Sequence, residues 1–130
     1  MKAAEKGRGE VDARSNSSRA KALVWIRLVH TAAWAFFAGC VLAIPFAGVM
    51  RNFRGAAILS GFVLLECAIL ATNDGRCPLT NLASRYTDDR KDNFDIYLPL
   101  WLARNNKSIF GTIFVLGELL VLALWLRGRG

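Results

Sequence analysis

The run LVWIRLVHTAAWAFFAGCVLAIPFAGVM, residues 23–50, decides the fold. Apart from small residues, only Arg27, His30 and Thr31 interrupt its apolar character. A helix crossing a bilayer needs ~20 apolar residues, with a range of roughly 17–25. This run exceeds that length, so it is expected to tilt, protrude or bend near Pro45. Working outward, Gly55 to Ala71 is a second apolar run, broken by Ser60 and Glu66, and Ile109 to Leu126 is a third, broken by Thr112 and Glu118. Helices apolar on all sides belong in lipid or in the core of a large protein. A chain of 130 residues has nothing left to cover three of them. The expected fold class is therefore an all-α membrane protein with three transmembrane helices, spanning about 23–50, 55–72 and 107–127 within a single domain over 23–130.

Composition agrees. The chain is 54% hydrophobic and its mean hydropathy is +0.31, yet its net charge is +7. Such values coexist only if charge and apolar surface are segregated along the chain. Residues 1–22 hold Gly7, Gly9, the cluster Ser15, Asn16, Ser17 and Ser18, and mixed charges. That stretch buries too little apolar surface to offset its ordering entropy and reads as a disordered basic tail. Phe37-Ala38-Gly39-Cys40 loosely resembles a lipoprotein cleavage box, but the polar lead is long and the apolar run continues past Cys40. The first run thus reads as an uncleaved anchor.

Lys and Arg counts give an orientation. The tail and the second loop carry six each, while the first loop and the C-terminal end carry two each. Placing the N-terminus in the cytoplasm and the C-terminus outside puts the larger sets inside. The location expected is the bacterial cytoplasmic membrane. Topology accounts for the positive charge, so no nucleic-acid partner is needed. Lipids are expected as contacts, and the basic tail suits anionic headgroups.

The second loop contains Phe94-Asp95-Ile96-Tyr97-Leu98-Pro99-Leu100-Trp101-Leu102-Ala103, apolar but too short to cross. Phe94, Tyr97, Leu98 and Trp101 share the spacing of one helical face. Tyr97 and Trp101 are residue types that favour the headgroup level. The spacing predicts an interfacial or re-entrant helix over 94–104, the alternative being an extension of the third span.

Arg27, His30, Glu66 and Glu118 form the candidate intramembrane polar cluster. Charge at such depth costs roughly 2.5–3.5 kcal/mol on insertion scales, so it turns toward a partner helix or water. Arg27, His30 and Trp34 lie on one stripe expected to face Glu66 and Glu118. Three roles fit: interhelical fastening, a proton relay or quinone headgroup site, and contact with another subunit. Haem is disfavoured because His30 is the only histidine, so a second axial ligand must come from elsewhere. Cys40, Cys67 and Cys77 form no CxxC and no Cys/His quartet, so no metal site is expected. Asp88, Asp89, Asp92 and Asp95 lack the turn glycine and distal glutamate of a calcium loop and read as a solvated charged face balanced by Arg85, Arg90 and Lys91. No nucleophile elbow, phosphate loop or HExxH occurs, and no catalytic set is assigned.

The ordered set His30, Glu66, Cys77-Pro78-Leu79-Thr80 and Phe94 to Leu98 resembles a bacterial family of small integral membrane proteins of unknown function that carry a CPLT motif. The resemblance covers about residues 28–104. Asn81-Leu82 stands where a carboxylate is expected soon after the motif. The resemblance implies an architecture and no activity. Physically, Pro78 keeps Cys77 out of helical geometry and suits a first helical turn, with Thr80 as a capping candidate. Three short spans with small-residue faces (Ala32, Ala33, Gly39; Gly55, Ala56, Gly61; Gly111, Gly117) pack closely with neighbours but enclose little. The function expected is that of an accessory or structural subunit among other membrane protein subunits. The alternative is a redox or proton-handling protein, with quinone or b-type haem contact, using His30, Glu66 and Glu118. A third option, a thiol redox enzyme, needs Cys77 on the oxidising side.

Overall fold

The computed structural model describes residues 2–129. The chain is all-helical: α1 runs over Lys2–Val49, α2 over Phe53–Thr72, α3 over Pro78–Ala83 and α4 over Leu100–Arg129. Three of these, α1, α2 and α4, are long and apolar enough to cross a membrane. The second loop supplies the short helix, α3.

Two expectations need correction. Residues 2–22 are not disordered; they continue α1 as helix. The apolar part of α1 already bears the nucleation cost, so each residue added upstream needs only propagation. The Ala, Glu, Lys and Arg residues there are good helix formers, and Arg14 and Glu10 pair at 3.4 Å one turn apart. From Ala4 to Lys21 this arm is exposed along its whole length. The full helix of 48 residues is about 72 Å long, more than twice a hydrocarbon core.

The second correction concerns 94–104. Residues 92–98 form turns and bends, and helix begins only at Leu100, so this end of the segment belongs to α4. Tertiary hydrogen bonds take the backbone groups that a helix would have used. Arg27 Nε donates to the Phe94 carbonyl at 2.7 Å, and the Tyr97 amide donates to Thr31 Oγ1 at 3.0 Å. Phe94, Asp95 and Ile96 are consecutive and all buried, which no amphipathic helix allows. Tyr97 and Trp101 are exposed.

α1 is the central element. It packs along both α2 and α4, which meet each other only slightly. The larger core joins Cys40, Val41, Ile44 and Val63 with Leu59, Phe110, Ile113, Phe114 and Val121. A smaller one, nearer the arm, joins Ile26, Ala83 and Phe94 with Leu23. The first loop turns at Arg51, whose φ of 62° is unusual for a side-chain-bearing residue. Asn52 caps α2 by accepting from the Gly55 amide at 3.0 Å. At the far end of α2, Asp74 and Gly75 take positive φ, and the Gly75 amide closes the helix on the Leu70 carbonyl at 2.7 Å.

Candidate functional site

Where α1 leaves its exposed arm, the second loop is fastened onto it. Cys77 is extended (φ −65°, ψ 140°) ahead of Pro78, as the proline requires. This turns the chain from α2 into α3 and sets Thr80 toward the loop. Thr80 does not cap the helix; its hydroxyl donates to Asp95 Oδ2. Asp95 is only 5% exposed. It is held in place because Phe94 and Ile96 on either side are buried as well.

His30 completes the group. Its Nδ1 lies 3.1 Å from the Asp95 carbonyl and 3.3 Å from Asp95 Oδ2. Both are acceptors, so Nδ1 carries the hydrogen, and Nε2 is the nitrogen left for the Cys77 thiol, which contacts His30. Thr31 Oγ1 donates to the Arg27 carbonyl at 2.7 Å while accepting from Tyr97, which ties the loop to α1 one residue further along. The Arg27 guanidinium stacks over the Tyr97 ring at 5.8 Å.

The electrostatics follow from these partners. Burial pushes the Asp95 carboxyl up, but hydrogen bonds from His30 and Thr80 outweigh it and hold the group below its ordinary value. Burial likewise pushes the Cys77 thiol up, and the His30 hydrogen bond, with the Leu79 backbone, brings it below its ordinary value. An imidazole oriented by a carboxylate and set against a thiol is the arrangement that generates a thiolate. A measurable result is expected. With Cys40 and Cys67 changed to Ser, alkylation of Cys77 should show its pH midpoint below 9.0, the ordinary value for a thiol. His30→Ala should move it back up. A midpoint unmoved by His30→Ala would show that the imidazole does not act on the thiol.

The expected cluster is divided. Arg27 and His30 share the arm-end layer, with Glu66 half-buried on α2 and interacting electrostatically with His30 without a hydrogen bond between them. Glu118 is elsewhere. Trp34 Nε1 donates to Asn106 Oδ1 at 2.8 Å and packs edge-on against Phe110, which sets the register of α4 on α1. Glu118 lies twelve residues beyond Asn106, about 18 Å further along the axis. There it accepts from the Ser60 hydroxyl of α2. The stripe Arg27, His30 and Trp34 therefore faces the second loop and α4, with Glu66 near His30 and Glu118 away from it.

Sequence reasoning missed Asp95, which it grouped with the solvated Asp88, Asp89 and Asp92. The signal was present, since Asp95 alone of the four stands inside the apolar run. Asp92 does pair on the surface, with Arg104 at 2.9 Å. Among the described residues no group of three or more His, Cys, Asp and Glu side chains is arranged to hold a metal ion. Set beside family models, curated proteins and solved structures, the chain matches none of them.

Proposed function

We propose that this small multi-span membrane protein is an accessory subunit of a larger membrane protein complex. It sits in the bacterial cytoplasmic membrane with its N-terminus inside, and it belongs to the CPLT-bearing family that its ordered motifs resemble. One observation carries the reading: four of the polar side chains on the spans are spent on fastening, Glu66 being the carboxylate that is not. Arg27 holds the Phe94 carbonyl, His30 holds Asp95, Trp34 holds Asn106, and Glu118 holds Ser60. Groups committed to internal bonds stabilise a shape and leave the outer faces to do the work. Those faces include Gly39, Gly61 and Gly111, where an added Cβ meets nothing within 4 Å. A neighbouring helix can approach closely at such positions.

Photo-crosslinkers placed at exposed Leu65 and Val115, one turn from Gly61 and Gly111, test this in native membranes. The expected product is a discrete, stoichiometric adduct with another membrane protein. Crosslinking to lipid alone, with an isolated stable monomer, would sink the subunit reading.

A second reading is favoured by the Asp95–His30–Cys77 contact: proton or thiol chemistry centred on that trio, with Glu118 outside it. Glu118 and Cys77 together separate the two readings. As a fastening group, Glu118→Gln keeps the bond to Ser60, while Glu118→Leu loses it at roughly 0.6 kcal/mol, the average for such intramembrane bonds. Both variants should remain folded and assembled. A Cys77→Ser protein that folds and assembles normally yet loses all cellular function would favour chemistry at the trio.

A further inference from the structure

Between α1 and the second loop, beside the fastening just described, lies an open hollow of about 390 Å3 lined by Arg27, Asp89, Lys91, Asn93, Tyr97 and Leu98, among others. We propose that this hollow binds the phosphate-bearing headgroup of an anionic phospholipid. It goes beyond the subunit reading and rests only on the chain spanning a membrane.

Depth is the first reason. Arg27 lies four residues past Leu23, where the apolar run begins, and so about 6 Å inside its edge. That is the headgroup boundary, and exposed Tyr97 belongs at the same level. Charge is the second. Arg27 spends Nε on the Phe94 carbonyl, which fixes the guanidinium and leaves its two terminal nitrogens to donate. Neither Arg27 nor Lys91 forms an ion pair with a carboxylate among the described residues. Asp89 is the one acid in the lining, and its Oδ1 already accepts from the Lys91 amide at 3.0 Å. Two cations therefore face one partly satisfied carboxylate.

Shape is the third. At ~30 Å3 per water the hollow holds about a dozen, enough for a phosphate with its glycerol and too much for a single ion. Its walls are mixed. Leu98 and Ile96 offer apolar surface to the glycerol and upper acyl carbons, while the cations meet the phosphate oxygens. An arginine fixed at one edge presents its remaining N–H groups as a fork that matches phosphate geometry. In an apolar environment such a cation is costly until it has a counter-charge, and the lipid supplies one.

The test uses the full chain purified in a neutral detergent and titrated with short-chain phosphatidylglycerol, phosphatidylcholine and inorganic phosphate, read by native mass spectrometry. Phosphatidylglycerol should bind at least tenfold more tightly than phosphatidylcholine, at about fivefold per cation. Lys91→Gln, an exposed change that leaves the fold alone, should cut that preference about fivefold, and Arg27→Gln with Lys91→Gln should abolish it. Arg54→Gln with Arg127→Gln removes the same charge from the opposite end and should leave the preference intact. Equal binding of the two lipids overturns the proposal, as does equal loss in the control pair. Displacement of phosphatidylglycerol by millimolar inorganic phosphate would mean a site for free phosphate and would overturn the lipid assignment.

Discussion

Asp95→Ala is expected to release the second loop from α1 and to cost about 3 kcal/mol, the low end for breaking a buried pair by removing one partner. The low end applies because the backbone carbonyl of residue 95 remains as an acceptor for His30 Nδ1. Asp95 is the hub of the arm-end layer: it receives the Thr80 hydroxyl and its side chain and carbonyl both meet His30. Losing it also frees Phe94 from the small core with Ile26 and Ala83. Thermal unfolding in detergent should shift down by several degrees. Limited proteolysis should open the chain between α3 and α4, where Asp88→Ala has no such effect. Asp95→Asn keeps an acceptor for Thr80 and should fall between the two.

The same group predicts an acid limit. The Asp95 carboxyl is held below 3.8, its ordinary value, because His30 and Thr80 stabilise the ionised form against burial. Its stabilisation is therefore fully present above 3.8 and is lost as the pH falls through the lower folded value. The wild-type thermal midpoint should drop over that interval by more than the Asp95→Asn midpoint does. Parallel pH curves, or an Asp95→Ala protein as stable and as protease-resistant as Asp88→Ala, would remove Asp95 from this role.

How far the sequence speaks differs from residue to residue. The three spans were legible because apolar content over ~20 residues answers to the bilayer alone. Cys77 ahead of Pro78 was legible because the proline constrains its predecessor locally. The arm at 2–22 was misread since composition measures the burial a segment can offer, whereas its helicity is seeded by the apolar helix it adjoins. Phe94 to Pro99 was misread for a related reason. Its spacing fits a helical face, but Arg27 and Thr31, more than sixty residues away, claim its backbone. Asp95 was missed as a partner of His30 because depth along a helix constrains who can meet at one level, and a buried loop carboxylate falls outside that count. Periodicity carries no information on long-range hydrogen bonds to carbonyls, and those build this site.

Gly117→Leu is expected to unseat α4. A Cβ at Gly117 would stand 3.4 Å from Pro45 Cδ and 3.7 Å from Ile44 Cγ2, so alanine just fits and leucine does not. The pyrrolidine ring is rigid and Ile44 is fully buried, so neither neighbour can give way. Gly48 is the reciprocal notch on α1, where a Cβ would meet Val121 Cγ2 at 2.8 Å. Overpacking of this kind costs typically 1–3 kcal/mol. Here the cost spreads, because α4 is held to α1 by Trp34–Asn106 and to α2 by Ser60–Glu118, bonds that need the same close approach. Gly117→Leu and Gly48→Leu should each lower the thermal midpoint of the purified protein, and Gly117→Ala should lower it little. Gly61→Leu and Gly111→Leu provide the contrast, since their Cβ positions open into empty space. Purified chains carrying these two changes should unfold like wild type, yet lose the crosslinks to a neighbouring subunit in native membranes. If Gly61→Leu destabilised the isolated chain as much as Gly117→Leu does, the division between inner and outer glycines would fail.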